Sequence, residues 1–94
     1  MQSIIQTENE CFICHTTYNL DTHHCIHGTS GRKLADKWGL TIKLCKYHHT
    51  GDQGIHQAWN SDLDLQIKQL AQTKFEELYG HDRWMEIFGK NYLP

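Results

Sequence analysis

The chain has 94 residues, 38% of them hydrophobic, and a formal net charge of −2. One domain accounts for that length. Folding at this size hides only about 60–65% of the surface that the unfolded chain exposes, so a metal, a disulfide or a partner is expected to complete its stability. With 1 Pro and 7 Gly the composition excludes a collagen-like chain or a long disordered tract. No run reaches the roughly 18 apolar residues of a transmembrane helix, so no membrane association is expected. The first six residues, Met1 to Gln6, carry neither a basic region nor an apolar core of the secretory type, and a cytoplasmic location is expected.

The charge is unevenly spread. Residues 1–26 carry −3, residues 27–50 carry +4 and residues 51–94 carry −3. The basic surplus, Arg32, Lys33, Lys37, Lys43 and Lys46, lies in the same stretch as His27, His48 and His49. Of the unusual residues, 4 are Cys and 8 are His. In a reducing compartment such cysteines point to metal rather than to disulfides.

In chain order, residues 1–10 read as a flexible N-terminus. Cys11-x-x-Cys14 reads as a knuckle, two thiols with a tight turn between them. A short strand is expected around Thr22–Ile26, then a turn at Gly28 to Gly31, then a short helix from Arg32 to Trp38 ended by Gly39. Leu40 to Leu44 alternates apolar and polar residues, a strand of period 2. It runs into Cys45-x-x-His48-His49. Gly51 and Gly54 mark a loop before His56. Asn60 or Ser61 starts a long helix with Asp62 and Asp64 in its first turn. Leu63, Ile67, Leu70, Ala71, Phe75 and Leu78 share one face of that helix. Gly80 stops it, and a second helix follows over about Asp82–Phe88. The organisation is a single domain, with residues 11–60 as a Cys/His-rich front and 61–94 as a helical scaffold.

Cys11-x-x-Cys14 and Cys45-x-x-His48 are two pairs of the kind that structural zinc takes in a tetrahedron. Spacing does not force His48 over His49. His48 keeps the x-x step and is placed on the zinc, which leaves His49 for another role. Cys25 falls outside this set and is expected to be a small buried residue on the strand. Side chains on an extended segment alternate in direction, so His23 and His24 face opposite ways. One can hold a divalent ion while the other faces a water, which is the division of labour that metal-dependent phosphodiester hydrolysis needs. The competing reading of the same residues is a second structural zinc. His15 and His27 read as loop or outer residues, and His81 as a helix flank. The basic stretch suits a nucleic-acid backbone, against a simple solvated face.

His23-His24, a basic loop, and a strand ending in Cys45-x-x-His48-His49 resemble the HNH, or ββα-metal, nuclease motif supported by a zinc knuckle. The order of Cys-x-x-Cys, His-His, Arg32-Lys33, Gly54-Ile55-His56 and Phe88-Gly89-Lys90-Asn91-Tyr92-Leu93 is similar to small phage proteins of the recombination-enhancement (Ref-like) nuclease family. The resemblance spans about residues 11–93. It implies an α+β fold, a small zinc-stabilised ββα-metal core with a C-terminal helical pair. It implies DNA endonuclease activity with His24 as general base. His23, His49 and His56 then hold a catalytic divalent ion (Mg2+, Mn2+, Ni2+ or Zn2+), His56 being a ligand or a phosphate contact. Zn2+ sits at Cys11, Cys14, Cys45 and His48, and Arg32, Lys33, Lys37, Lys43 and Lys46 meet DNA. A phage origin, the host cytoplasm, and a RecA-type recombinase or another host protein as partner are also implied; oligomeric state is left open. The middle Asn of the motif has no counterpart, because Gly39 and Leu40 stand in its place. That departure favours an alternative of another class, an inactive zinc module that binds nucleic acid or a host protein.

Overall fold

The computed structural model describes residues 2–51, 54–57 and 60–94. Strand β1 (Leu20–His24) is followed by helix α1 (Thr29–Trp38), strand β2 (Thr41–Cys45) and one helical turn, α2 (Lys46–His49). The long helix α3 (Ser61–Tyr79) and the shorter α4 (His81–Phe88) complete the chain. The result is a small mixed α/β structure in which the strands form a two-stranded antiparallel sheet.

The strand pairing runs from Leu20 opposite Cys45 to His24 opposite Thr41. The first strand therefore begins and ends two residues earlier than its sequence pattern suggests. Its partner sets those limits, and Cys25 N still donates to Leu40 O at 3.0 Å beyond the ladder. Alternation along the second strand is as expected. Leu40, Ile42 and Leu44 are buried, while Thr41 and Lys43 are only partly covered. Cys25 is fully buried at the exit of β1.

Helix α1 starts at Thr29, ahead of the expected Arg32, and takes Gly31 into its first turn. A side chain at Gly31 would press on Ile26, with a Cβ only 3.0 Å from Ile26 Cγ2. Gly39 ends the helix in the left-handed region, φ 72°, where its N–H reaches Ala35 O. Residues 2–4 pass so close there that any Cβ would collide with the Gln2 carbonyl. The N-terminal segment also bonds to the sheet region. Ile4 N donates to Gly39 O at 2.9 Å, and Lys43 N donates to Gln6 Oε1 at 2.7 Å.

Helix α3 buries Ile67, Ala71, Gln72 and Phe75. Leu78, expected on the same face, is 60% exposed. The buried face instead takes in Gln72, whose side chain accepts Tyr92 N–H at 2.8 Å and donates to Asn91 Oδ1 at 2.6 Å. This amide fixes the C-terminal tail against the helix. Phe75 meets Trp38 and Trp84 edge-on at 5.4 and 5.5 Å between ring centres. Trp84 stacks on Phe88 at 4.1 Å and donates its indole N–H to Lys90 O at 2.8 Å. Such ring pairs contribute about 0.5–1.5 kcal/mol each beyond burial. Trp38 is thus occupied by core packing. Among the described residues no helix is long and apolar enough to cross a membrane.

Candidate metal centres

Two clusters of metal-ligating side chains flank the helical turn α2. The first is the knuckle. Cys11 N donates to Thr16 O and His15 N to Cys11 O, which closes the turn carrying Cys11 and Cys14. Phe12 N donates to Lys43 O at 2.8 Å and ties that turn to β2. Cys45 is the residue before α2, and His48 follows it by three positions, one face of a helical turn. Cys11, Cys14, Cys45 and His48 lie close enough together to hold a metal ion.

The spacings are informative. Cys14 Sγ is 3.7 Å from Cys45 Sγ, and His48 Nδ1 is 3.8 Å from Cys11 Sγ and 3.2 Å from Cys45 Sγ. Metal–sulfur bonds of about 2.3 Å and metal–nitrogen bonds of about 2.0 Å at tetrahedral angles require edges of roughly 3.8 and 3.5 Å. The donor set and its edges therefore fit a structural zinc. Burial raises the Cys11 thiol, but backbone hydrogen bonds from Cys14, Cys45 and Ile13 outweigh it and bring it down to about 6. At Cys14 a backbone hydrogen bond from Thr16 acts downward, but desolvation and the neighbouring Cys11 and Cys45 leave that thiol raised. A bound cation favours the thiolate at both.

The second cluster is built of histidines. His49 directly follows His48 on α2, and successive helical residues diverge by about 100°. One turn of helix therefore sends the two rings to different sites, and the His48–His49 ambiguity resolves into one residue for each. His23 on β1 is 1% exposed, and its Nε2 has no hydrogen-bond partner among the described residues. Burial, followed by the neighbouring His27, His49 and His56, pushes its pKa down to about 3. The ring is neutral at pH 7, which is the state that ligates a metal. Leaving a buried polar atom unpaired costs about 1–3 kcal/mol, and a cation is the partner such an atom suits.

His23 lies 5.5 Å from His49 and 5.3 Å from His56 between ring centres, and His49 and His56 are 4.8 Å apart. The three can together hold an ion. His49 Nε2 and His56 Nε2 are 3.1 Å apart, near the roughly 3.4 Å between two nitrogens on one tetrahedral ion. Asp21 Oδ2 accepts from His49 Nδ1 at 3.2 Å, leaving Nε2 as the donor to a metal. The His49 and Lys46 hydrogen bonds hold the Asp21 carboxyl below its ordinary range. The sequence offers no pointer to Asp21, because the contact crosses the sheet.

His24 faces away from His23, as the alternation requires, yet both line one cleft with His27, Arg32, His49 and His56. His24 Nε2 donates to Asp36 Oδ1 on α1 at 2.9 Å. That bond selects the tautomer in which Nδ1 carries the lone pair. Asp36 was not singled out by sequence, where it counts only as an acid in a basic stretch. His27, expected in the loop, joins the cleft and donates from Nε2 to Asp64 Oδ1 at 2.7 Å. Burial raises the Asp64 carboxyl, but hydrogen bonds from Lys68 and His27 hold it low overall. His15 and His81 lie elsewhere, paired with Glu10 and Glu76.

The five basic residues do not act as one patch. Arg32 lines the cleft. Lys43 donates to Thr22 Oγ1 at 2.9 Å and Lys46 pairs with Asp21 at 3.2 Å. Lys37 lies 5.7 Å over the Trp38 ring, and Lys33 is exposed on α1. No family model, curated protein or solved structure matches the chain. Its functional reading therefore rests on the clusters themselves.

Proposed function

We propose that this protein is a small HNH-like, metal-dependent DNA endonuclease, with a structural zinc at Cys11, Cys14, Cys45 and His48. The observation that carries the reading is the cleft. A buried, unpartnered, neutral imidazole (His23) stands beside His49 and His56, and the same cleft presents His24 and Arg32. His23 and His24 come from β1, His49 from α2 and His56 from the segment after it, a supply from strand and helical turn that supports the ββα-metal reading.

A divalent ion on His23, His49 and His56 would polarise a scissile phosphate and stabilise the leaving oxygen. His24 Nδ1 is the general base that takes a proton from the attacking water. Asp36 holds His24 Nε2–H and stabilises the imidazolium that forms. It supplies from α1 a brace for the base-bearing ring in a chain whose motif lacks the middle Asn. Arg32 sits where a flanking phosphate would lie, and binding through it is salt-sensitive and indifferent to sequence. The partner on this reading is DNA. The resemblance adds phage origin, a link to recombination, and a RecA-type or other host protein as a second partner.

The test is nicking of supercoiled plasmid by zinc-loaded protein across Mg2+, Mn2+ and Ni2+, with EDTA and His24→Ala alongside. Metal-dependent nicking that His24→Ala removes supports the endonuclease. No nicking in any metal by folded, zinc-loaded protein overturns it and favours an inactive binding module.

A further inference from the structure

We infer that the cleft's cation centre extends beyond the three histidines to His27 and Asp64, so that helix α3 carries part of the metal site. This rests on the divalent-ion centre proposed above and not on the endonuclease chemistry.

His27 stands 5.5 Å from His23 and 5.7 Å from His56 between ring centres. An imidazole centre lies about 3.2 Å from an ion it binds, so rings around one tetrahedral ion stand about 5.2 Å apart. The His27 ring therefore keeps ligand spacing to His23 and to His56. His23, His27 and Asp64 each offer a ligand atom within 4.8 Å of the other two, the closeness that also unites His23, His49 and His56. Both trios share His23, whose buried Nε2 has no hydrogen-bond partner among the described residues. The His27 Nε2 to Asp64 Oδ1 contact of 2.7 Å is a carboxylate–histidine pair of the kind that fixes a ring's tautomer and raises its basicity as a ligand. Asp21 does the same for His49 from the other side. Two carboxylates thus bracket the histidine cluster, one from β1 and one from α3.

Asp64 is itself held, since Lys68 Nζ lies 2.8 Å from its second oxygen. A pocket of imidazoles backed by carboxylates is nitrogen-rich. It favours borderline cations such as Co2+, Ni2+ or Zn2+ over Mg2+, which prefers all-oxygen, water-rich coordination.

The experiment is Co2+ titration of the full chain with the knuckle already zinc-filled, read by visible absorption and calorimetry. Wild type is compared with His27→Ala, Asp64→Asn, Asp64→Glu and His49→Ala. The expected result is Co2+ binding by wild type that Mg2+ does not displace. His27→Ala and Asp64→Asn should each weaken it by about 10–100-fold and change the absorption band, and Asp64→Glu should recover part of the loss. Bound Co2+ should also raise the melting temperature of wild type more than that of Asp64→Asn. If Asp64→Asn does not fold, the absorption band and affinity of His27→Ala decide. Wild-type affinity and spectrum in both His27→Ala and Asp64→Asn, with binding lost in His49→Ala, would confine the centre to three histidines and overturn the inference alone. No Co2+ bound by wild type would overturn the ion centre and this extension together.

Discussion

The knuckle and the histidine cleft stand on opposite sides of one helical turn and solve different problems. In the knuckle, three soft sulfurs and one nitrogen come close enough together to hold a metal ion, within a few residues of a turn and a strand end. Its four donors leave no place for a substrate. In the cleft the donors are imidazoles gathered from β1, α2 and the segment around His56, and the space between them opens to Arg32 and His24. A closed set of four donors suits a fold staple; a partly filled set of histidines suits chemistry. Because His48 and His49 are neighbours, the knuckle also sets the position of the histidine cleft.

That contrast predicts a ranking of effects. The largest belongs to Cys45→Ser. Structural zinc supplies about 10–16 kcal/mol of apparent binding energy in small zinc folds, against a typical total stability of about 5–15 kcal/mol. The variant should lose its cooperative melting transition in circular dichroism and its tight zinc by metal analysis. A cooperative, native-like melt would show that the knuckle is dispensable.

Next come the two adjacent histidines. His49→Ala should keep the knuckle zinc and a cooperative melt, but lose the second divalent ion and at least about 100-fold of nicking. His48→Ala should do the reverse, with zinc affinity falling first. If both substitutions damaged both sites equally, the division of labour along α2 would be wrong. His24→Ala should cost about 10²–10⁴-fold in cleavage rate, the range for a general base, with metal content unchanged. A smaller effect follows at the outer contact. Asp21→Asn should weaken the second ion by about tenfold through its loss of hold on His49. Equal Co2+ affinity in wild type and variant would show that His49 is positioned without it.

A last effect is a pH slope from the cleft. His23 is held down to about 3 by burial, while the same side chain in the unfolded chain titrates near 6.5. Between those values the unfolded chain binds the proton and the folded one does not. Stability is therefore complete above about pH 6.5 and falls as the pH drops towards 3. Denaturant midpoints from pH 7 to 4.5, measured with the knuckle zinc retained and the cleft metal-free, should decline in wild type. They should decline less in His23→Leu; identical slopes would remove His23 as the cause.

Much of the scaffold was legible from local signals. Alternation at Leu40, Ile42 and Leu44 marked β2, and Gly39 and Gly80 marked where helices stop. The spacing of Cys11, Cys14, Cys45 and His48 marked four side chains that the fold brings together. The cleft was legible only in part. Alternation separated His23 from His24, but the partners that give those rings their character come from distant segments. Asp36 reaches His24 from α1, and Asp64 reaches His27 from α3 across 37 positions. No periodicity encodes such pairs. The helical turn that parts His48 from His49 was equally hidden, since four residues are too few to display a helical repeat. Leu78, one residue from the end of α3, stays exposed, while the polar Gln72 is buried to hold the tail.

Cys25 has a use that follows from its burial alone. It sits where β1 gives way to the turn before α1, wholly covered, and burial pushes its thiol up to about 12. At neutral pH almost none of it is thiolate, the form that alkylating reagents attack. With the other three cysteines engaged by an ion, a maleimide or iodoacetamide would find this sulfur only during excursions that part the hairpin from α1. The labelling rate of the wild-type chain is thus a built-in clock for its breathing, needing no engineered probe.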